Sequence, residues 1–237
     1  MIYLLLAIFF ILWGLFIYSI IKKDRLKGFY YKGFTSFSFV LVFAYGVYEY
    51  IILDNGVQPL LLELKYSRLF IFIGIGLVSG VIGDLFLELQ YFYKERKFYQ
   101  ITKGMIIFLI GHIFYILAMS FFVGFNYISL IIGAIMTGVV FFGSKMMKID
   151  FKELKWMTYI YSFVIFTMVG LAITQAFELS FSLYSVSFLI GGILFGISDL
   201  VLAPIYFKEQ KNNLFTIINL STYYSAQLLI ALSIIFL

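Results

Sequence analysis

The 237-residue chain has no cysteine, a single histidine and two prolines, and charged residues make up only 12% of it. Without cysteine there is no disulfide framework, no thiolate nucleophile and no Cys-ligated metal. One histidine excludes any site built from two or three His ligands. Soluble domains carry about a quarter charged residues and disordered chains carry more, so both of these classes are excluded.

The chain is rich in apolar residues: 63% of the residues are hydrophobic, and many stretches contain no Asp, Glu, Lys or Arg. Because a helix of about 20 apolar residues crosses a bilayer, these stretches predict an all-α, polytopic membrane protein. The uncharged run 104–144 is too long for one span, and Gly124-Phe125-Asn126 predicts a turn within it. Eight transmembrane helices are expected, at 2–21, 34–53, 68–91, 104–123, 126–144, 156–177, 182–206 and 214–236.

The basic residues predict the orientation of these helices. Of the 17 Lys and Arg residues, 15 fall in the loops after helices one, three, five and seven, among them Lys32 and Lys211. This asymmetry predicts that those loops are cytoplasmic and that both termini are non-cytoplasmic. The net charge of +5 therefore reflects topology, and no nucleic-acid partner is expected. The expected location is the cell membrane, if the source is bacterial.

A short internal repeat divides the chain. Residues 83–92 (GDLFLELQYF) and 198–207 (SDLVLAPIYF) share Asp, two Leu, Tyr and Phe, and they lie on helices three and seven. The repeat predicts one transmembrane domain, 1–237, made of two four-helix halves, 1–123 and 126–237. The halves are expected in parallel topology, related by an axis along the membrane normal.

Asp84 and Asp199 are carboxylates inside predicted membrane spans. Each lies about seven residues from the inner end of its helix, or roughly 10 Å below the cytoplasmic edge. A carboxylate at that depth costs at least about 2.5 kcal/mol, so it normally faces the bundle interior or a wet cavity. One interpretation is that each pairs with a buried donor and only orients the helices. Matching depth on corresponding helices instead favours one shared site.

Other polar residues occupy similar depths on helices four and eight. They are His112, Tyr115, Asn219, Tyr223, Tyr224 and Gln227. Glu88 follows Asp84 by one turn and is close enough to the membrane interface to be interpreted as snorkelling to the surface. The glycines of helices three and seven predict close helix packing, and no phosphate-loop pattern follows a strand.

Two buried carboxyls with nearby hydroxyl and imidazole groups suit acid–base chemistry. One protonated and one ionised carboxyl form an acid–base pair. Nucleophilic triads and zinc hydrolysis fit poorly, and no metal site or cofactor is expected. The depth of the site, near the inner headgroups, predicts a membrane phospholipid or lysolipid as substrate. The residues alone leave two alternatives open, an intramembrane acid–base enzyme and a proton-coupled lipid or metabolite carrier.

Four motifs resemble a known family. They are residues 79–87 (SGVIGDLFL), 108–115 (FLIGHIFY), 195–199 (FGISD) and 223–229 (YYSAQLL). Their order, their spacing and the eight-helix count are similar to those of the YhhN family of lysoplasmalogenases over nearly the whole chain. The resemblance implies hydrolysis of the vinyl ether bond of lysoplasmalogen, or of a related ether lysolipid. The products would be a fatty aldehyde and glycerophospho-ethanolamine or glycerophosphocholine.

The resemblance also implies site residues. The two intramembrane aspartates of the family correspond to Asp84 and Asp199, expected to be catalytic. The supporting or substrate-binding positions are expected to be His112, Tyr115, Tyr224, Gln227 and Lys32; Tyr115 is included because it shares the face of His112. A Lys-Pro pair usually opens helix two in the family, whereas this chain has Lys32-Gly33.

The chemistry of the bond suggests roles for these residues. Protonation of the β-carbon of a vinyl ether creates an oxocarbenium ion, water captures it, and the hemiacetal collapses to the aldehyde. We expect one aspartate to supply the proton and the other to stay ionised, stabilising the cation and activating water. His112 and Tyr224 are expected to position water or tune the acid, and Lys32 to meet the phosphate.

Two other hydrolase classes fit the sequence less well. An intramembrane aspartyl protease also needs two helix-borne aspartates, but Val81-Ile82-Gly83-Asp84 lacks the first Gly of GxGD and no Pro-Ala-Leu motif is present. A ceramidase-like zinc hydrolase needs several histidines. The carrier is therefore the alternative that stays open.

Overall fold

The structure, a computed structural model, describes residues 1–54, 64–208 and 213–237, and these residues form helices and short connections without strands. The eight long helices are α1 (Ile2–Ile21), α2 (Arg25–Tyr48), α3 (Leu64–Leu89), α4 (Lys97–Phe122), α5 (Ile128–Met146), α6 (Lys155–Glu178), α7 (Leu183–Phe207) and α8 (Asn213–Ser233). Each lies in a segment that is long and apolar enough to cross a membrane. The protein is therefore an integral, multi-pass membrane protein, and the predicted class and helix count are confirmed.

Helix α2 begins at Arg25, nine residues before the predicted start. Asp24 caps it, because its carboxylate accepts a hydrogen bond from the backbone N–H of Lys27 at 3.1 Å. The uncharged-run criterion missed this start because basic residues occupy the first turns. As a consequence Lys32, predicted to lie in a loop, is inside the helix.

The other boundaries are closer to the prediction. Helix α4 starts at Lys97 rather than at residue 104, after a 3₁₀ turn over Lys94–Arg96. The turn predicted between helices four and five is confirmed, with Gly124 at a φ of +132°. Lys211, counted among the inward-loop cations, lies outside the described residues.

Neighbouring helices in the sequence form hairpins. The most extensive pairings are α3 with α4, α7 with α8, α5 with α6 and α1 with α2. The two halves of the chain meet mainly where α4 packs on α6 and α2 packs on α8. These two contacts exchange when the halves are exchanged, as the predicted repeat requires, although the repeat and the orientation in the membrane stay predictions.

Close approach of α3 and α4 depends on glycine. A Cβ added to Gly83 would lie 2.7 Å from the ring of Phe108, and one added to Gly104 would lie 2.6 Å from Leu87. Both distances are below van der Waals contact, so the ring and the leucine fill the space that a side chain would need. This contact fixes the depth of the neighbouring Asp84 against α4.

Candidate active site

Asp84, on α3, is buried and receives its polar contacts from two other helices, α2 and α8. It is 2% exposed. Its Oδ2 accepts hydrogen bonds from the hydroxyls of Ser36 on α2 (2.6 Å) and Tyr223 on α8 (2.7 Å). Its Oδ1 lies 3.5 Å from Nζ of Lys32 on α2. A buried carboxylate with two hydroxyl donors and a counter-ion has the partners that its charged form requires.

Lys32 is shared between two carboxylates. Its Nζ also lies 3.5 Å from Oε2 of Glu88, and both side chains are buried. The interpretation that Glu88 snorkels to the surface is therefore wrong, because the early start of α2 places a cation beside it one turn from Asp84. Oε1 of Glu88 has no hydrogen-bond partner among the described residues. With both acids ionised, one cation balances two anions.

A chain of hydrogen bonds holds the Tyr223 hydroxyl. Tyr115 on α4 donates to Oε1 of Gln227 on α8 at 2.8 Å. Nε2 of Gln227 in turn donates to the oxygen of Tyr223 at 3.4 Å. Because that oxygen is then an acceptor, its own proton is directed to Asp84. Tyr115 and Gln227 therefore orient a ligand of the aspartate without touching it.

Tyr224 supports the other hydroxyl donor. Its oxygen lies 3.1 Å from Oγ of Ser36, and since the serine proton goes to Asp84, the tyrosine is the donor in this contact. The ring packs edge-on against Phe9 and Phe16 of α1, with centroids 6.4 and 5.9 Å away. Helix α1 therefore fixes the position of Tyr224 through apolar contacts alone.

Asp199, on α7, has a different environment. Tyr161 on α6 donates its hydroxyl proton to Oδ2 of Asp199 at 2.6 Å. Nε2 of His112 on α4 lies 3.2 Å from the same tyrosine oxygen, so that oxygen accepts from an Nε2–H tautomer. The imidazole is 1% exposed and packs edge-on against Phe195. No cation forms an ion pair with Asp199 in the part of the chain that the structure describes.

Helices α7 and α8 are joined beside Asp199. Nδ2 of Asn219 donates to the backbone carbonyl of Ser198 at 2.8 Å and to its Oγ at 2.9 Å. Oγ of Ser198 donates back to the carbonyl of Asn219 at 3.1 Å. These reciprocal bonds fix the register between the helix that carries Asp199 and the helix that carries Tyr223.

One cavity of about 920 Å³ connects the two aspartates, because both line it. Asp84 and Asp199 lie five and eight residues before the ends of their helices, or roughly 8 and 12 Å from them, where the sequence predicted about seven residues for each. The lining is mostly apolar and includes Met105, Phe108 and Phe166. A cavity of this size and lining suits a single lipid chain together with a small polar unit.

The end of the cavity at the α1–α2 and α3–α4 connections is basic. We call it the cavity mouth and define it by Lys23, Arg25, Tyr91 and Lys94, all of which line the cavity. The three basic side chains are exposed. The guanidinium of Arg25 lies 3.9 Å from the centroid of the Tyr91 ring. Burial, with a further contribution from the charge of Glu88, raises the pKa of the Tyr91 phenol, which therefore stays neutral under the cation.

The structure divides the residues singled out in the sequence into two groups. Lys32 contacts Asp84 directly, while Tyr115, Tyr224 and Gln227 reach it through Ser36 or Tyr223. His112 reaches Asp199 through the hydroxyl of Tyr161. The cavity lining includes the two aspartates and Lys32 but not His112, Tyr115, Tyr224 or Gln227, as far as the chain is described. Those four residues lie behind the side chains that face the cavity.

Sequence reasoning missed two direct contacts of the aspartates. Ser36 sits two residues inside the predicted helix two, and Tyr161 is one of 19 tyrosines. Neither has a charge or a motif that distinguishes it in the sequence. Only the packing of α2 against α3 and of α6 against α7 identifies them.

Comparison with known proteins gives one match. No curated protein and no solved structure matches the chain. The model of the YhhN family matches residues 34–234, which is most of the chain and includes both aspartates and their hydroxyl donors. The chain therefore belongs to the YhhN family.

Proposed function

We propose that this membrane protein is an intramembrane hydrolase that cleaves the vinyl ether bond of lysoplasmalogen, or of a related ether lysolipid, to a fatty aldehyde and a glycerophospho-alcohol. The observation that carries the proposal is the contrast between two aspartates in one cavity. Asp84 has a lysine counter-ion, whereas Asp199 accepts a hydrogen bond from a phenol and has no ion pair among the described residues. Vinyl ether cleavage needs one proton donor and one anion, and these two environments supply them.

Asp199 is the proposed acid. A neutral carboxyl costs much less to bury than a carboxylate without a counter-ion. Oδ2 accepts a hydrogen bond from the hydroxyl of Tyr161, which leaves Oδ1 to carry the acidic proton. That proton passes to the β-carbon of the vinyl ether, and the positive charge develops on the α-carbon and the ether oxygen. The hydroxyl of Tyr161, itself held by Nε2 of His112, keeps the carboxyl of Asp199 oriented for this transfer.

Asp84 is the proposed anion. Together with Glu88 it places more negative than positive charge around Lys32, so the cluster stabilises the oxocarbenium ion. The carboxylate of Asp84 accepts a proton from the water that attacks the α-carbon. The resulting hemiacetal then collapses: protonated Asp84 gives its proton to the ether oxygen, which leaves as the glycerol hydroxyl, and the hemiacetal hydroxyl gives its proton to Asp199 as the aldehyde is released. Lys32 holds the two acids in place in this mechanism.

The test is aldehyde release by purified protein from lysoplasmalogen. Asp84→Asn and Asp199→Asn are expected to abolish it, while Asp150→Asn, the same change at an exposed aspartate in a loop, is expected to retain it. In D₂O the aldehyde is expected to carry one deuterium on the carbon next to the carbonyl, because that carbon receives the acid's proton. Full activity in both aspartate variants would refute the mechanism. Transport of intact lipid across vesicles without aldehyde would favour the carrier.

A further inference from the structure

The cavity mouth has cations without acidic partners. Lys23, Arg25 and Lys94 line the cavity, and none of them forms an ion pair with a carboxylate in the described ranges 1–54, 64–208 and 213–237. Two acids are adjacent to these cations in the sequence: Asp24 caps α2 and lies 3.4 Å from Lys27, and Glu95 forms no ion pair with Lys94 in the described ranges. Three uncompensated cations at the entrance of one cavity create a local field that favours an anion.

Lys32 is poorly placed to bind the same anion. It is 5% exposed and already contacts both Asp84 and Glu88. An anion brought to Lys32 would meet two carboxylates, so repulsion from them would offset the attraction of the one cation. The cation that sequence reasoning assigned to a phosphate is therefore occupied within the protein.

The orientation of Arg25 is fixed before any ligand arrives. Its guanidinium stacks on Tyr91 at 3.9 Å, and the uncharged ring holds the cation without neutralising its charge. Arg25 is the first residue of α2 and Lys94 lies in the turn that leads into α4. Arginine presents a planar set of donors that matches two phosphate oxygens, so a stacked arginine is suited to a phosphate diester or monoester.

The spacing along α3 is about the distance from a vinyl ether across glycerol to its phosphate. Glu88 follows Asp84 by one turn and Tyr91 follows about one turn later, so the mouth lies roughly 10 Å along the helix from the reacting carboxylate. An ether lysolipid with its vinyl ether at Asp84 and its chain against the apolar lining would extend its glycerol past Glu88. Its phosphate would then reach Arg25.

We propose that Lys23, Arg25 and Lys94 form the binding site for the phosphate of a single-chain glycerophospholipid. The site distinguishes a phospholipid from a neutral alkylglycerol of the same chain length. The inference rests on the proposed function for the choice of an ether lysolipid, but binding to the site requires no hydrolysis.

The test therefore uses ligands that cannot be hydrolysed by this chemistry. Purified protein in detergent is titrated with 1-O-alkyl-glycero-3-phosphoethanolamine, whose saturated ether cannot be protonated on carbon, and with the matching 1-O-alkylglycerol. The double variant Arg25→Gln/Lys94→Gln is expected to weaken binding of the phospholipid roughly tenfold or more, since contacts with charged groups are the stronger class of hydrogen bond. Binding of the alkylglycerol is expected to be unchanged.

Lys145→Gln/Lys155→Gln is the matched control. Both lysines lie beside aromatic rings, as Arg25 does, but neither lines the cavity, and the change in net charge is the same. The control is expected to bind both ligands as the unaltered protein does. If the control weakened phospholipid binding equally, the effect would come from general attraction between protein and micelle, and the proposal would be overturned. Unaltered phospholipid binding by Arg25→Gln/Lys94→Gln, or equal loss of both ligands, would also overturn it.

Two further measurements identify which phosphate compound the site prefers and whether the bound lipid is hydrolysed. Glycerophosphoethanolamine is expected to compete with the ether lipid more strongly than inorganic phosphate does; equal competition would indicate a free-phosphate site and overturn the headgroup assignment. Charge-dependent binding of the phospholipid, with no aldehyde formed from lysoplasmalogen, would refute the hydrolase while supporting the phosphate site.

Discussion

Replacement of Lys32 by methionine tests the charge cluster at the centre of the site. Methionine keeps much of the length of the side chain but removes its charge, which leaves Asp84 and Glu88 buried without a cation. Lys27→Met is the control, because Lys27 lies on the same helix, is largely exposed and pairs only with Asp24. The comparison therefore separates loss of a buried counter-ion from loss of a lysine on α2.

The size of the effect follows from the two ion-pair distances. At 3.5 Å, with an effective dielectric constant of about 20, each pair with Lys32 contributes an attraction of about 5 kcal/mol. Part of this lost attraction is offset, because the variant no longer has the desolvation cost of a buried ammonium group. Breaking a buried pair by removing one partner costs about 3–5 kcal/mol, and we expect that range for Lys32→Met at neutral pH. Lys27→Met is expected to change stability by less than about 1 kcal/mol.

Removing one of the two carboxylates should reduce the destabilisation of Lys32→Met. Glu88→Gln replaces a buried carboxylate by an uncharged amide, so only Asp84 of the two is then left without the counter-ion. Glu88→Gln, added to Lys32→Met, should restore part of the stability at neutral pH, although Glu88→Gln alone removes a partner of Lys32. The expected signature is thus a positive coupling between the two positions.

Reversible unfolding in mixed micelles at neutral pH measures these free energies. The four proteins of the cycle are the unaltered chain, the two single variants and the double variant, with Lys27→Met measured alongside. If Lys32→Met were as stable as Lys27→Met at neutral pH, the cluster would not hold two buried charges. Absence of coupling to Glu88→Gln would refute the shared counter-ion.

Two further predictions concern the phenol beside the proposed acid and the packing of α3. Tyr161→Phe keeps the ring but removes the donor to Asp199, so aldehyde release is expected to fall at least about tenfold with little change in thermal stability; unchanged turnover would show that the acid does not depend on this hydroxyl. Gly83→Ala should lower the free energy of unfolding by about 1–3 kcal/mol, because its methyl group would meet Phe108. Gly138→Ala, where no atom lies within 4 Å of the added carbon, should leave it unchanged or raise it by up to about 1 kcal/mol, and equal losses at both positions would contradict the packing argument.

The number of helices could be read from the sequence because it depends on apolar length alone. A membrane span must be long enough to cross the bilayer, and that length is visible as an uncharged run. The start of α2 could not be read in this way. Arg25, Lys27 and Lys32 interrupt the run, although Asp24 supplies a helix cap that is itself visible in the sequence. A search for caps in addition to apolar runs would have found the earlier start.

The two aspartates could be found, but their environments could not. A charge inside an apolar helix is conspicuous wherever it points, so Asp84 and Asp199 stand out without any structure. Whether each has a cation depends on which residue of another helix lies opposite. For Asp84 that residue is Lys32, which the uncharged-run criterion places in a loop. For Asp199 it is Tyr161, one of many tyrosines. Contacts between distant parts of a chain leave no local pattern.

The pairing of helices gives these different environments a common origin in the fold. Asp84 is packed by α2 and α8, and Asp199 receives its hydrogen bond from α6, which also meets α4. Exchanging the halves interchanges α2 with α6 and α4 with α8, so the predicted repeat relates the helices around Asp84 to those around Asp199. Their side chains differ, because α2 and α8 supply a lysine and two hydroxyls to Asp84, whereas α6 supplies a phenol to Asp199. In the proposed mechanism the lysine is the decisive difference, since a counter-ion favours the anion at Asp84 and its absence in the described residues favours a protonated carboxyl at Asp199.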